Sequence, residues 1–372
     1  MTANGLKFLK SFLIFINLCI IACYLLVCIL PYVDTGNYWY IALPGLVFPL
    51  IVMGLIIFIL IWAFVKSKWC WISIITLLLG AQQIMVVFGF NIPKKFESHK
   101  SANTLRVLQW NVSDWDEDDK VRKGGTSFRP LMLGLVKEQD ADILCFEEFF
   151  EPKNNNGYFE QNISPFEKMG YTYHYFIPSQ VYANYYQSGI AIFSKYPMID
   201  SASFSLNENG RGEHLLYTDI KVNDKIVRIF ATHLQSVHFN QTDYQSLKRL
   251  KQAQERNLND SRDIISKLKK AYKSRYKQAE LVSEKIRESP YPSLICGDFN
   301  DVPNSGTYFK IRGNFRDAFL EKGILLGRTF RFISPTLRID YILADKKFRV
   351  TQYQRIKVPY SDHYPVEADL QY

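Results

Sequence analysis

The sequence predicts an α+β protein in two parts: three transmembrane helices over residues 1–95, then a four-layer α/β-sandwich over residues 101–372, in which two packed β-sheets are flanked by helices. Three observations carry this. Charge is absent from three long runs in the first quarter, short β-type runs dominate the rest, and helical stretches fall irregularly among them. Irregular order argues for layered sheets with helices outside and against a doubly wound parallel sheet.

The apolar runs come first. Ser11 to Val33, Thr35 to Val65 and Trp69 to Pro93 each lack a charged residue, and each is at least as long as the roughly 20 residues that cross a bilayer as a helix. A cleaved leader has an apolar stretch of about 7–15 residues, so the first run is too long for one, and two more follow it. Lys7 and Lys10 precede the first run, Lys66 and Lys68 separate the second from the third, and the loop between the first two carries Asp34 without a basic residue. The excess of cations on short cytoplasmic segments therefore predicts a cytoplasmic N-terminus. Three spans then place everything after Pro93 on the external or periplasmic side of a bacterial-type inner or plasma membrane, where Lys94, Lys95, Lys100 and Arg106 follow the third span. The spans hold few polar groups, Gln82 and Gln83 among them, which argues against a transport role.

Charge and cysteine add little. The net charge is +9, and residues 1–99 hold six lysines against one Asp and one Glu; the mildly basic remainder suits an anionic substrate or an acidic membrane surface. Cys19, Cys23, Cys28 and Cys70 lie in the spans, while Cys145 and Cys296 sit in apolar strand-like runs and read as small buried hydrophobes.

From about Ser101 the strand-like runs are "TLRVLQW", "DILCFEE", "GIAIFSK", "LLYTDIKV", "KIVRIFATHL", "SLICGDF", "RIDYILA" and "HYPVEADL". Asn223-Asp224 joins the fourth to the fifth as a tight hairpin turn. Helices are predicted over Phe128 to Gln139 and from about Ser246 to Glu288, and from Lys248 onward the latter carries 13 basic residues against six acidic. It reads as an exposed helix with a solvated charged face, or as a basic arm lying against anionic headgroups or phosphates. The aromatic-dense segment between Tyr158 and Tyr186 reads as cross-strand pairing on a sheet, with a lipid-facing or base-stacking rim as the second reading.

The chemistry sits at strand ends. Six apolar runs stop at polar groups: Trp110-Asn111, Phe146-Glu147-Glu148, Thr232-His233, Gly297-Asp298-Phe299-Asn300, Ile339-Asp340 and Ser361-Asp362-His363. Taken singly each is an ordinary turn or cap residue. Buried together, such carboxylates need a cation. Oxygen donors without a Cys or His cage favour a hard ion, Mg²⁺ or Mn²⁺.

"WN", "FEE", "THL", "GDFND" and "SDH", in that order, resemble the endonuclease/exonuclease/phosphatase superfamily, which includes deoxyribonucleases, inositol polyphosphate phosphatases and neutral sphingomyelinases; the likeness covers residues 101–372. It implies that Glu148, Asn111 and Asp362 hold the metal, with Glu147 where relatives have glutamine. It further implies that Asp298 activates water, that Asn300 and His363 face the phosphoryl oxygens, that Asp340 holds His363, and that His233 is the second histidine of the deoxyribonuclease and sphingomyelinase branches. Abasic-site endonucleases carry an aspartate where Ser113 stands and a tyrosine where Gln187 stands, so that activity is disfavoured. The expectation is a membrane-anchored phosphoesterase acting on a phospholipid or sphingolipid headgroup at the lipid bilayer, with a nuclease as the alternative. The intact acid, amide and histidine set argues against a non-catalytic scaffold, and no feature calls for an obligate protein partner.

Overall fold

The structure is a computed structural model that describes residues 3–117, 125–153, 159–182, 185–207, 210, 212–237, 239, 243, 245–246 and 258–372. Its first quarter is helical: α1 (Ala3–Cys28), α2 (Leu43–Leu46), α3 (Phe48–Phe64), α4 (Trp69–Leu79) and α5 (Ala81–Val87). Asn4–Tyr32, 29 residues with an 18-residue stretch of mean hydropathy 2.9, is long and apolar enough to cross a membrane. The second and third predicted spans are bent: Trp39–Leu46 meets Phe48–Phe64 at 65° and Trp69–Leu79 meets Ala81–Val87 at 59°, so each crosses only if its pair counts as one span.

The bends have local causes. Pro44 and Pro49 each occupy the first turn of a helix, where proline's missing N–H is not needed and its fixed φ starts a new helix in a new direction. At the second bend a Cβ on Gly80 would fall 2.4 Å from the ring of Tyr24, so only glycine lets α1 approach so closely. Asn17 donates to Ser73 Oγ at 3.0 Å between α1 and α4, a polar pair of the kind that holds apolar helices in register.

The strands are β1 (Gly89–Phe90), β2 (Thr104–Asn111), β3 (Ile143–Pro152), β4 (Tyr173–Tyr182), β5 (Tyr186–Ser194), β6 (Met198–Ser205), β7 (His214–Val222), β8 (Lys225–His233), β9 (Ser293–Asp298), β10 (Arg316–Asp317), β11 (Ile324–Leu325), β12 (Asp340–Ala344), β13 (Arg349–Arg355) and β14 (Val366–Gln371). They form two six-stranded sheets, ordered β13-β14-β2-β3-β5-β4 and β10-β12-β9-β8-β7-β6, and the small pair β1-β11. Each large sheet is antiparallel except for one parallel pair near its centre, β2 with β3 and β8 with β9.

Inward-facing Val107, Ile143, Cys145 and Ile192 of one sheet pack on Ile229, Ala231, Leu294 and Cys296 of the other. Outside the first sheet, α6 (Arg129–Gln139) and α7 (Ile163–Lys168) bury Met132, Val136 and Phe166 against Phe146 and Phe193. Outside the second, α8 (Leu258–Arg287) buries Tyr272, Ala279 and Val282 in one cluster with Phe230 and Ile295. This is the four-layer order that the sequence predicts. Tyr24, Leu30, Phe48 and Leu55 of the N-terminal helices enter that last cluster too, beside Phe299, which follows β9, and Tyr308 of α9 (Gly306–Arg312). The apolar helices and the sandwich thus share a core.

Three local readings can be followed further. Val222 pairs with Lys225 across Asn223-Asp224, and Asn223 takes the positive φ (54°) of a tight hairpin. Of the basic 246–288 stretch, α8 packs one face through Ala271, Tyr272, Ala279, Val282 and Ile286, while residues 247–257 lie outside the described residues. In the aromatic segment, Tyr182 stacks on its cross-strand partner Tyr186 at 4.6 Å and His174 on Phe193 at 5.6 Å; Tyr158, Ala183 and Asn184 lie outside the described residues.

Candidate active site

Strand alternation builds most of the site. Side chains two apart share a face, so the inward row Leu105, Val107, Gln109 ends in Asn111, and Ile143, Cys145 ends in Glu147. On the other sheet Ile229, Ala231 leads to His233, Leu294, Cys296 to Asp298, and Ala344, Ile342 to Asp340. The apolar layer between the sheets therefore runs out, at one end, into amides, acids and an imidazole. Register aligns three of them side by side, for His233 pairs with Asp298 and Asp298 with Asp340. Gly297 makes this row fit: a Cβ there would stand 2.1 Å from Thr232 O of the neighbouring strand.

Glu148 breaks the alternation. The β3–β5 register shifts between Phe146 and Phe149, and Glu148 has φ 49°, so a bulge turns its carboxylate to the mouth of the site instead of the outer face. There Oε1 accepts from Asn111 Nδ2 at 3.1 Å.

The groups converge on one oxygen. Asp298 Oδ2 lies 3.2 Å from Asn111 Nδ2, 3.4 Å from Asn300 Nδ2, and 3.7 Å from Nε2 of both His233 and His363. Its other oxygen accepts from the Asn300 backbone N–H at 2.8 Å, and the Asn300 amide donates to Leu234 O at 2.9 Å. His363 sits on the loop before β14; Asp340 grips its Nδ1 at 2.9 and 3.1 Å, and the Phe330 ring stands edge-on at 5.0 Å. Asp362 opens, with Glu148, Asp298, Asn300 and His363, onto a single cavity. All eight residues singled out in the sequence, Asn111, Glu148, His233, Asp298, Asn300, Asp340, Asp362 and His363, are thereby brought together.

Burial and charge set the protonation states. Burial alone would lower the His363 pKa, but Asp340, Asp298 and Asp362 outweigh it and hold the imidazole well above its ordinary value. His233 is raised in the same way, against burial, by Glu213, Asp298 and Glu148. Burial pushes Asp298 up to about 6, with Asp340 adding to the rise and His363 and His233 opposing it.

Asp298, Asp340 and His363 present ligand atoms within 4.8 Å of one another, yet the His363–Asp340 contact is an ion pair, and a protonated imidazole has no lone pair to offer a metal. The oxygens of Glu148, Asn111 and Asp362 are better suited. Glu148 is 37% exposed on the open side of the site. Its pKa is raised by burial and by the Asp362 charge, with His233 opposing. Two carboxylates that repel one another across a cavity are relieved by a hard cation, and their donor chemistry fits Mg²⁺ or Mn²⁺.

Two functional neighbours were missed from sequence. Glu213 Oε2 lies 3.3 Å from His233 Nδ1, and its place ahead of β7 carried no signal. Gln109 donates to Glu147 at 2.7 Å and to Asp340 at 3.2 Å, and an amide inside "TLRVLQW" was the signal available. Glu147 itself is fully buried with Oε1 unpaired. Its pKa is raised well above 4.5 by burial and then by Asp340 and Asp298, so its stabilising form is the protonated one, fully present below pH 4.5 and lost as pH rises toward the shifted value. Glu147→Gln is expected to keep hydrolysis and to gain stability over the parent by up to about 1.4 kcal/mol for each pH unit across that window. Thermal unfolding of both proteins between pH 5 and pH 8 checks this, and a gain independent of pH counts against it.

A two-sheet sandwich carrying such a set at one rim defines a hydrolase of phosphate ester bonds. The chain belongs to the Endonuclease/Exonuclease/phosphatase family, whose sequence profile matches residues 131–363. A second profile, for a domain of unknown function, matches residues 10–87. No curated protein matches the chain. Among solved structures, an endonuclease/exonuclease/phosphatase from Beutenbergia cavernae is similar at 19% identity and TM-score 0.52, over 72% of each chain. A mannosyl-6-phosphatase from Bacteroides thetaiotaomicron is similar at 18% identity and TM-score 0.49, over 72% of this chain and all of that one. The catalytic domain of human Nocturnin is similar at 19% and 0.48, over 72% and 93%. Members of the family typically depend on a divalent metal ion.

Proposed function

We propose that this chain is a membrane-anchored phosphoesterase using Mg²⁺ or Mn²⁺, with residues 1–95 as the membrane domain and 101–372 as the catalytic one, and that its substrate is a lipid phosphate. The observation that carries it is the convergence of two amides and two imidazoles on Asp298 Oδ2, beside a mouth lined by Glu148 and Asp362. Glu148, Asn111 and Asp362 would hold the metal, which when bound polarises the phosphoryl group and stabilises charge on its oxygens.

The chain's own groups account for the rest. Asp298 takes a proton from water as its oxygen bonds to phosphorus, the P–O bond to the alcohol breaks, and the leaving oxygen takes a proton from solvent while Asp298 returns its own to solvent, so that one water is consumed for each ester cleaved. Asn300 and protonated His363 donate to the oxygens on which charge develops. Asp340 and Glu213 position the two imidazoles. A cytoplasmic N-terminus with the catalytic unit outside is supported by Lys10, Lys66 and Lys68, which gather with Trp69 at one end of the helices, whereas Leu30 and Phe48 at the other end pack into the sandwich.

The test is hydrolysis by the full chain in a phosphate-free detergent, assayed on phosphate mono- and diester probes, phospholipids and oligonucleotides. Activity should vanish with EDTA and return with Mg²⁺ or Mn²⁺, and Glu148→Gln should raise the half-saturating metal concentration at least about tenfold. Hydrolysis indifferent to EDTA sinks the metal assignment. Preference for oligonucleotides, with a steep loss of activity on adding salt, replaces the lipid with nucleic acid.

A further inference from the structure

The cavity in front of the catalytic groups has a volume of about 670 Å³, within the range of sites that hold a whole small molecule. Its floor is polar, made by Glu148, Asp298, Asn300, Asp362 and His363; Leu46, Val47 and Leu50, at the α2–α3 bend of the N-terminal helices, also line it. Ile333, Pro335 and Leu337 add to the apolar side, and the Thr336 hydroxyl, donating to Leu46 O at 2.9 Å, fastens that loop to α2.

Leu50 is 54% exposed, and it begins a row, Leu50, Met53, Ile57, Leu60 and Phe64, that continues exposed along α3 to Phe64 at 88%. Steps of three and four keep the row on one face of the helix. In a chain embedded by these helices that face meets lipid, so one unbroken apolar track runs from the bilayer into the catalytic cavity. Among the described residues lining the cavity, Arg275 is the one Lys or Arg, and it is turned to Gln235 O at 3.1 Å and Asp301 at 3.5 Å. A path for a polyphosphate backbone would be lined with cations; the described residues on this side of the cavity, Leu46, Val47, Leu50, Ile333, Pro335 and Leu337, offer hydrocarbon instead.

Resting on the phosphoesterase reading, we infer that the N-terminal helices form part of the substrate site: the scissile phosphate belongs to a membrane lipid whose hydrocarbon chain lies along Val47 and Leu50 and continues down α3 into the bilayer. The bend at Pro49 is then what brings a bilayer-facing surface up to the catalytic floor.

Non-hydrolysable n-alkylphosphonates of increasing chain length, carrying a terminal photoreactive diazirine, test this on the full chain in a glycoside detergent. Affinity should rise about two- to fourfold for each added methylene until the cavity is filled, and adducts should fall in residues 43–57 and 330–337. Leu50→Asp and Val47→Asn should each cut the ratio of long-chain to short-chain affinity at least about tenfold. If a variant misfolds, the adduct map of the parent protein still decides. Binding independent of chain length, or adducts confined to α1 and α4, overturns the inference, as does an oligonucleotide that binds more tightly than every alkylphosphonate. Chain-dependent binding with the expected adducts but no hydrolysis of any ester would instead leave the chain site standing and remove the catalytic reading.

Discussion

Asp298→Asn is expected to lower turnover by about 10²–10⁴, the usual contribution of a positioned general base, with thermal unfolding and metal affinity unchanged. The substitution keeps the shape of a side chain that is 1% exposed and hydrogen-bonded to the Asn300 backbone N–H at 2.8 Å. What it removes is the capacity to accept a proton. The pH profile is the sharper readout. Burial raises the Asp298 pKa to about 6, and a base works deprotonated, so the rate of the parent enzyme should climb as pH passes about 6. At the alkaline end it should fall where His363, held well above its ordinary value by Asp340 against the effect of burial, gives up its proton. A variant that retains the acid limb, or keeps more than a tenth of the parent rate, would assign the proton transfer elsewhere.

The parts of this site that could be read from the sequence follow from strand periodicity. A polar residue that ends an apolar run on the buried face has to be met by something, and Asn111, His233, Asp298 and Asp340 each stand in that position. Glu148 could be recognised only by resemblance, because plain alternation sends it to the outer face and the bulge that turns it inward depends on how β3 pairs with β5. Glu213 reaches His233 from outside any strand, through the pairing of two distant segments. No residue of the edge strands β4 and β6 is fully buried, so the alternation that reveals a strand is weak there. The bends in the second and third apolar runs escaped for another reason. A criterion of charge and length counts residues and is blind to direction, although Pro44 and Pro49 stood in view.

The largest effect on stability is expected at Arg338, where Arg338→Met should lower stability by about 3–5 kcal/mol. The guanidinium is 1% exposed, lies 2.6 Å from Asp317 Oδ2, donates to Val86 O at 2.8 Å, and sits over the Phe319 ring at 4.4 Å. Asp317 is also committed, accepting from Tyr308 Oη at 2.7 Å and from the Phe319 N–H at 2.9 Å at the start of α10 (Ala318–Lys322). Removing the cation therefore leaves a carboxylate buried beside aromatic rings, and it leaves the carbonyl at the end of α5 without its donor. Asp317→Asn should cost less, since the amide oxygen still accepts and only the charge is lost. The double substitution Arg338→Met with Asp317→Asn should recover part of the loss, because no unpaired charge then remains inside. Thermal unfolding of the full chain in detergent reads all three. Because one guanidinium holds both the sandwich and the last N-terminal helix, Arg338→Met should also loosen residues 81–95 to protease before the sandwich unfolds. Simultaneous loss of both would mean that the shared core, not this ion pair, joins them.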